Sequence, residues 1–284
     1  GRSRSDTECN PRIEAPSQRV NSQQPNHPAT RQAGFGWTGL AFAAAALVIS
    51  LVAISSRSFW IDEVCAGVLA MQVTLGDWWQ LLSQDRSSTL QMPLSMFWIW
   101  GWGRLVGTGE WTLRLANLPW FVLGATAFIL AFPPGDRRRA IAACVTLLCP
   151  FAWYYLDEAR PYAMQLGASL LVAASLARLD RNTSTREAPD TAHVALFLFG
   201  IVVLSGSNLI GMIWAGAALL AMLALLPWTR LMTLVKQHAS LWLAAGGMLL
   251  LFGGYYLWTL TVGARASAAA TTTLGSTLFV GYEL

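Results

Sequence analysis

The stretch that decides the fold is LIGMIWAGAALLAMLALLPW, residues 209–228, which contains no charged side chain. An α-helix needs about 20 mainly apolar residues to cross the hydrocarbon core of a bilayer, which is about 30 Å thick. Residues 209–228 meet that requirement. They therefore predict a transmembrane helix.

Six further stretches lack Asp, Glu, Lys and Arg and are long enough to span a membrane. The sequence SGSN at 205–208 predicts a turn that separates two of the seven stretches. The expected fold class is all-α, a polytopic membrane helical bundle of about seven transmembrane helices with juxtamembrane helices on its outer surface. The seven predicted spans are 36–56, 115–132, 140–156, 161–177, 191–207, 209–228 and 239–261.

The composition agrees with a membrane protein. Hydrophobic residues make up 55% of the 284 residues and charged residues 12%, and the mean hydropathy is +0.46. Soluble domains carry about 25% charged residues. The composition excludes a disordered or nucleic-acid-binding chain and argues against a soluble enzyme. Residues 1–34, rich in Pro, Gln, Asn and Ser, are expected to form a disordered cytosolic tail.

The arginines predict the topology. If residues 93–106 lie on the outer surface instead of crossing, the basic loops fall on the same side as the N-terminal tail, as the positive-inside rule requires. The first outer loop then covers about 57–114 and the second about 157–160. Trp98, Trp100 and Trp102 are expected at headgroup depth. The basic residues assigned to the cytosolic side are Arg137, Arg138, Arg139, Arg178, Arg181, Arg186, Arg230 and Lys236.

Asp62 and Glu63 follow the first predicted span directly and lie at the edge of the bilayer. Ionisable residues at such depth are candidate functional groups. An alternative is that Asp62 caps the helix that follows, because Asp is a favoured N-cap residue. The adjacent pair favours function over capping.

The second outer turn, DEAR at 157–160, adds two acids and an arginine. The guanidinium of Arg160 suits a phosphate or pyrophosphate oxygen, although an ion pair with Glu158 or Asp62 is an equal alternative. Because the three histidines map to the cytosolic side, any metal would take oxygen ligands, which suits Mg²⁺ or Mn²⁺. Its carboxylates would come from Asp62, Glu63, Asp157 or Glu158, and a site without a metal is an equal alternative.

Five short motifs, in this order and on this side of the membrane, resemble those of the GT-C membrane glycosyltransferases. The resemblance is closest to protein O-mannosyltransferases and aminoarabinose transferases, that is, glycosyltransferase family 39 and its bacterial relatives. It covers about residues 37–284. The motifs are WIDE at 60–63, PL at 93–94, EWTLR at 110–114, ARPYA at 159–163 and YEL at 282–284.

This resemblance implies a sugar transfer at the outer face from a polyprenyl-phosphate donor to a protein, lipid or glycan acceptor. It implies that Asp62 is the catalytic residue, with Glu63 beside it. The chain has Gln91-Met92-Pro93-Leu94 where the family often has His-Pro-Pro-Leu. Family members also continue past the YEL motif, so the chain is expected to lack the C-terminal part. The expected location is the bacterial inner membrane, with the site on the periplasmic or extracellular face.

The residues themselves support a mechanism of this kind. Asp62 is expected to take the proton of the acceptor hydroxyl, and single displacement predicts inversion at the anomeric carbon. Asp157 and Glu158 are the expected supporting acids. Arg160 and, beside it, Tyr162, Arg57 and Arg114 are the residues expected to bind the lipid donor and its phosphate.

Two other classes of membrane protein remain open on the sequence. A transporter or lipid-carrier flippase would carry ionisable groups near mid-membrane on broken helices. A purely structural membrane subunit would not need the clustered acids. The predicted spans hold no charge, and the acids collect at one edge of the membrane, which favours the enzyme.

Overall fold

The apolar stretches form α-helices throughout the part of the chain that the computed structural model describes, residues 37–85, 88–185 and 191–267, with the backbone alone for 182–185 and 262–267. The predicted tail at 1–34, Arg186 and the YEL motif lie outside the described residues. The α-helices are α1 (Trp37–Ala53), α2 (Ile61–Ala70), α3 (Leu75–Gln84), α4 (Pro93–Val106), α5 (Glu110–Arg114), α6 (Leu118–Leu130), α7 (Arg137–Leu147), α8 (Pro150–Leu156), α9 (Tyr162–Thr185), α10 (Thr191–Ser207), α11 (Leu209–Leu225), α12 (Trp228–Gln237) and α13 (Ala239–Ser267).

Three of the described segments are long and apolar enough to cross a membrane, namely Glu110–Leu130, Tyr162–Arg181 and Ala239–Thr261. Two bent helix pairs raise the number to five if each pair is one span. The sequence predicts seven, and the difference lies in α1 and α10. Each has 17 residues, which reach about 25 Å at 1.5 Å per residue and fall short of the bilayer core of about 30 Å.

The bends occur where the sequence breaks a helix. The predicted span at 140–156 is divided into α7 and α8, which meet at 45°, and Pro150 is the first residue of α8. Proline suits the first turn of a helix but cannot continue the preceding one. The second break is sharper, because α11 and α12 meet at 120°. Pro227 lies between them, in extended backbone, as the N-cap of α12.

The predicted division into two helices near 205–208 is present, but the break is at Asn208 alone, and residues 205–207 are the last turn of α10. Helix α10 ends at Ser207 and α11 begins at Leu209. Between them, the Asn208 side-chain oxygen accepts a hydrogen bond from the Gly211 N–H at 2.5 Å. This N-cap bond satisfies one of the free donors at the start of α11.

The centre of the bundle is the contact between α6 and α9. A Cβ atom on Gly124 would overlap the backbone of Gly167, and one on Gly167 would overlap the Trp120 carbonyl. The two helices therefore approach at a distance that only glycine allows. Helix α10 packs on the other side of α9, and the buried Phe197 and Ile201 of α10 belong to the same apolar core as Met164 of α9.

Three of the arginines predicted to be cytosolic, Arg139, Arg178 and Arg181, lie at one end of the bundle. The Arg139 guanidinium lies 5.1 Å from the centre of the Phe42 ring near the start of α1. Arg178 and Arg181 of α9 donate hydrogen bonds to the carbonyls of Leu130 and Ala131, where α6 ends. We call this the arginine end. Residues 54–62 and 157–161 lie at the opposite end, which we call the acidic end.

Helix α4 has the predicted bounds of 93–106, but its tryptophans bond within the protein. The indole N–H groups of Trp98, Trp100 and Trp102 donate to the carbonyls of Ala116, Gln72 and Thr112, each at 2.9 Å. Because these donors are satisfied by the protein, the three side chains tie α4 to its neighbours. The headgroup depth expected for them from the sequence stays a prediction.

Candidate functional site

The first turn of α2 directs Glu63 into the protein and Asp62 towards solvent. Helix α2 begins at Ile61, and Trp60 is its N-cap. The Glu63 carboxylate accepts a hydrogen bond from the Trp60 N–H at 3.0 Å. Glu63 therefore does the capping that the sequence left open for Asp62, and that alternative for Asp62 is wrong. The Asp62 side chain is 69% exposed.

Glu63 pairs with Arg114 in the interior of the acidic end. The guanidinium of Arg114 contacts both carboxylate oxygens, with Nη2 at 2.8 Å from Oε2 and Nε at 3.1 Å from Oε1. The Ala159 N–H donates to Oε1 at 2.7 Å. The side chains of Glu63 and Arg114 are 1% and 0% exposed. The pair therefore joins α2, α5 and the second outer turn without contact with solvent.

The third nitrogen of Arg114, Nη1, binds the backbone that follows α1. Nη1 donates to the carbonyls of Ser55 at 3.0 Å and Arg57 at 2.7 Å. Charged pairs out of water are stable only when their other polar positions are also bonded. Arg114 meets this condition. Each of its three nitrogens donates a hydrogen bond, and the side chain is buried, away from the surface where the sequence expected it to bind a lipid phosphate.

Asp157 is the second carboxylate of this buried cluster. It accepts hydrogen bonds from the Ser55 N–H at 2.5 Å and the Ser55 hydroxyl at 2.9 Å. Arg57 lies 3.1 Å from Oδ2, and Arg114 lies 3.9 Å from Oδ1. Ser55 was not identified from the sequence, because a single serine after an apolar helix carries no distinctive pattern. We call Glu63, Arg114, Asp157 and Ser55 the buried cluster.

The hydrogen bonds of this cluster control the charge of Glu63. Burial by itself would raise the pKa of Glu63. The Arg114 hydrogen bond, the N–H groups of Ala159 and Trp60, and the Arg114 charge together hold the pKa below its ordinary value of 4.5. Glu63 is therefore an anion at neutral pH, and its two oxygens are occupied by donors.

Asp62 and Arg160 form a second, open pair beside the cluster. Arg160 Nη2 lies 3.6 Å from Asp62 Oδ2, and Nη1 donates to the Asp62 carbonyl at 3.1 Å. Of the alternatives for Arg160, the contact with Asp62 is the one observed. The guanidinium also lies 5.8 Å from the centre of the Tyr162 ring. The Arg160 side chain is 8% exposed, so a buried cation supports an exposed carboxylate.

Glu158 lies beside this open pair and is half-buried. Burial and the nearby Glu63 charge raise the pKa of Glu158, against the opposing effects of the Tyr154 hydrogen bond, Arg160 and Arg57. Asn117, buried in the turn before α6, donates to the Glu158 carbonyl at 2.6 Å and the Leu156 carbonyl at 3.0 Å. Asn117 thereby holds the second outer turn in place, a role not identified from the sequence.

The divalent cation considered from the sequence finds no set of ligands in the described part of the chain. Within residues 37–85, 88–185 and 191–267, no three His, Cys, Asp or Glu side chains are grouped so that they could hold a metal ion. Glu63 and Asp157 are occupied by arginine and backbone donors. This leaves Asp62 and Glu158 as the exposed and half-exposed carboxylates of the four.

The search for similar proteins gives no family assignment, because no protein-family model, no curated protein and no solved structure matches the chain. The site must therefore be interpreted from its own geometry. It consists of an exposed carboxylate next to a mostly buried guanidinium, both held by a buried ion-pair cluster at one end of an apolar helical bundle.

Proposed function

We propose that this protein is an integral-membrane glycosyltransferase that moves a sugar from a polyprenyl-phosphate donor to an acceptor hydroxyl at the outer face of the membrane. The observation that carries the proposal is the open pair. Asp62 is 69% exposed while Arg160 beside it is 8% exposed. A solvent-exposed carboxylate beside a buried cation suits a reaction that removes a proton and releases a phosphate.

In the proposed reaction, Asp62 accepts the proton of the acceptor hydroxyl. At the same time the hydroxyl oxygen of the acceptor attacks the anomeric carbon of the donor sugar. The bond between that carbon and the donor phosphate oxygen breaks, and its electron pair leaves with the lipid phosphate. A single displacement of this kind inverts the anomeric centre. Arg160 stabilises the negative charge on the departing phosphate, because planar guanidinium groups match phosphate oxygens.

The other acidic-end residues have supporting parts in this proposal. Glu63 and Arg114 are positioning residues, because their buried pair sets the direction of α2 and so of Asp62. Asp157 holds the chain after α1 through Ser55. Arg57 is 42% exposed on its side chain, so it remains a second candidate for binding the donor phosphate, as does Tyr162 beside Arg160.

The location of the site supports a lipid-linked donor. Several long apolar helices indicate a membrane protein, and the acidic end lies at the termini of α1, α6, α8 and α9. A polyprenyl donor is confined to the bilayer, so its phosphate and sugar lie at the interface. On the positive-inside rule, the arginine end faces the cytosol, which puts the open pair on the outer side, at the periplasmic or extracellular surface.

The test is a transfer assay with the full chain in liposomes. Radiolabelled polyprenyl-phosphate sugars are supplied with membranes as the acceptor source, and the label is followed into lipid, protein and glycan fractions. We expect transfer by the wild type and a rate lower by about 10²–10⁴ for Asp62→Asn. The matched control is Asp77→Asn, which removes another exposed acid in the first turn of a neighbouring helix.

Two outcomes would contradict the proposal. One is normal transfer by Asp62→Asn. The other is that no donor in the panel transfers its sugar while the labelled donor itself crosses the liposome membrane. The latter result would instead favour the transporter or flippase, because it requires movement of the lipid carrier without chemistry at its phosphate.

A further inference from the structure

The first turn of α7 carries three consecutive arginines at the arginine end. Asp136 is the N-cap of this helix, and its carboxylate accepts a hydrogen bond from the Arg138 N–H at 2.8 Å. The first turn itself contains no acidic residue. The start of a helix has a partial positive charge, so it favours anions and disfavours cations. Arg137, Arg138 and Arg139 therefore place further positive charge at the positive end of α7.

Arg139 is the buried member of the three. It is 9% exposed, whereas Arg137 and Arg138 are exposed. The Nε and Nη2 atoms of Arg139 are enclosed and have no hydrogen-bond partner among the residues that the structure describes. A guanidinium keeps its charge in a protein, and a buried charged group without a partner is costly. Arg139 therefore lacks the acceptors that a buried cation requires.

Other arginines of the bundle show what Arg139 is missing. Arg114 donates from all three nitrogens to carboxylate and carbonyl oxygens. Arg178 and Arg181 donate to the carbonyls at the end of α6. The guanidinium of Arg139 instead faces the Phe42 ring of α1, 5.1 Å from its centre. An aromatic ring attracts a cation but replaces none of the missing hydrogen bonds.

The missing acceptor is an anion from outside the described part of the chain. Within that part, none of the three arginines of the first turn forms an ion pair with an acidic side chain. The Asp136 carboxylate is engaged by the helix backbone. Because planar guanidinium groups match phosphate oxygens in geometry and charge, a phosphate group suits this cluster.

The position of Arg137 indicates where that phosphate comes from. Ile141, Val145 and Leu148 follow Arg137 at intervals of three or four residues, so the four side chains lie on one face of α7. The three apolar side chains are exposed. Helices α7 and α8 together are long and apolar enough for one bent span, and exposed apolar side chains of a span face lipid. A phospholipid chain along this face therefore brings its headgroup to the first turn of α7.

We propose that the first turn of α7 binds the phosphate of an anionic phospholipid in the leaflet at the arginine end, with Arg139 as the buried hydrogen-bond donor. The phosphate approaches from the lipid-facing side. Rotation of the Arg139 side chain away from Phe42 turns its enclosed nitrogens towards the headgroup. Arg137 and Arg138 attract the net negative charge of the lipid, as basic residues beside a membrane span do.

This site is separate from the open pair of Asp62 and Arg160. It lies at the opposite end of the bundle, which the positive-inside rule assigns to the cytosolic leaflet. Its ligand is held by charge and hydrogen bonds and undergoes no reaction. The lipid site therefore stands or falls independently of the proposed sugar transfer.

The experiment measures lipid binding by the full chain. The protein is purified in a neutral detergent, phosphatidylglycerol is titrated in, and native mass spectrometry counts the lipids bound at each concentration. Phosphatidylcholine, which has a phosphate but no net charge, is titrated in parallel. We expect one phosphatidylglycerol to bind ahead of the others, and phosphatidylcholine to bind about tenfold more weakly or less.

Arg139→Gln should weaken the binding of the first phosphatidylglycerol by about 10- to 100-fold, the value of a hydrogen bond to a charged group. Arg139→Lys keeps the charge and should recover only part of the binding, because lysine cannot hold two phosphate oxygens in one plane. Lys236→Gln is the matched control. It removes one exposed positive charge of the same predicted side from α12 and should leave the binding unchanged.

The melting temperature separates lipid binding from a purely structural role. Phosphatidylglycerol should raise the melting temperature of the wild type, because a ligand of the folded state stabilises it. It should raise that of Arg139→Gln much less. In detergent alone, Arg139→Gln should melt no lower than the wild type, because the substitution removes a buried charge that has no hydrogen-bond partner.

Three results would overturn the proposal. Equal phosphatidylglycerol binding by the wild type and Arg139→Gln would show that Arg139 does not bind the headgroup. An equal loss in Lys236→Gln would show that the binding reflects overall charge. Glycerol 3-phosphate has a phosphate without acyl chains. If it raises the melting temperature of the wild type as much as phosphatidylglycerol does, the site binds a soluble anion and the lipid assignment is wrong.

Discussion

Asp62 and Glu63 are adjacent in the chain and carry the same charge, yet their environments are opposite. The Glu63 side chain is 1% exposed and its oxygens are occupied by Arg114, Ala159 and Trp60. The Asp62 side chain is 69% exposed and has one long contact, to Arg160. Consecutive residues of a helix point about 100° apart, so one turn can send one carboxylate inward and the next outward.

The contrast shows how an exposed reactive group is held in place. A carboxylate on a loop can adopt many positions, whereas a site needs its groups fixed by surrounding structure. The buried cluster joins α2 to α5, to the second outer turn and to the segment after α1. Asp62 takes its position from that cluster and contributes little to it. Substitutions of Asp62 should therefore change reactivity, and substitutions of Glu63 should change stability.

The largest expected effect is on transfer rate. Asp62→Asn should lower the rate by about 10²–10⁴, the range of general base catalysis, with no change in melting temperature.

Glu63→Gln should lower the melting temperature, because an amide cannot accept all the hydrogen bonds of the carboxylate. Transfer assays and thermal unfolding in the same detergent check both. Equal melting temperatures for Glu63→Gln and the wild type would show that the cluster does not support the fold.

The second expected effect is on stability. Arg114→Met leaves Glu63 buried without its partner and should destabilise the protein by about 3–5 kcal/mol, the range for breaking a buried ion pair. The double variant Glu63→Gln/Arg114→Met removes both charges and should recover part of that loss. Thermal unfolding of the wild type, both single variants and the double variant measures the coupling. Additive effects of the two substitutions would contradict a buried pair.

The third expected effect is on donor binding. Arg160→Gln should raise the KM for the polyprenyl-phosphate donor by about 10- to 100-fold, the value of a hydrogen bond to a charged group. Arg160→Lys keeps the charge and should recover only part of this, because lysine cannot bind two oxygens in one plane. Steady-state kinetics against donor concentration check the change. A fall in kcat alone, with the same KM, would assign Arg160 to the transition state or to positioning Asp62.

The smallest expected effect is a pH dependence of stability. The pKa of Glu63 is held below 4.5 in the folded protein. The unfolded chain therefore binds this proton more readily. The stability that Glu63 contributes is complete above pH 4.5 and is lost as the pH falls through the lower folded-state pKa. Melting temperatures between pH 7 and pH 3 should show a steeper fall for the wild type than for Glu63→Gln. Equal falls in melting temperature for the wild type and Glu63→Gln over this pH range would contradict the lowered pKa of Glu63.

Much of the helical architecture could be predicted from the sequence. Apolar stretches predicted the position of most long helices and the bounds of α4, and the SGSN sequence predicted a break that the structure has at Asn208. These patterns act locally along the chain. The number of spans could not be predicted with equal success. Pro150 divides one predicted span. Helix α1 is shorter than its apolar stretch at 36–56, and α10 has its predicted bounds but only 17 residues.

The residues that form the candidate site could be predicted from the sequence, but the role of each residue could not. Asp62, Glu63, Asp157, Glu158, Arg160 and Arg114 do meet at one end of the bundle. Their division into a buried cluster and an open pair depends on contacts between residues about 50 to 100 positions apart in the chain. Ser55 and Asn117 were missed for the same reason, because their only distinction is the backbone or carboxylate that they meet in space.

The sequence by itself determined the all-helical fold class, the gathering of arginines at one end and the excess of carboxylates at the other. These follow from apolar length and from the order of charged residues along the chain. Only the tertiary structure decided that Glu63 is a buried support and Asp62 an exposed group. The physical reason is that burial and pairing depend on which helices pack together, and neighbouring residues in a sequence carry no record of that.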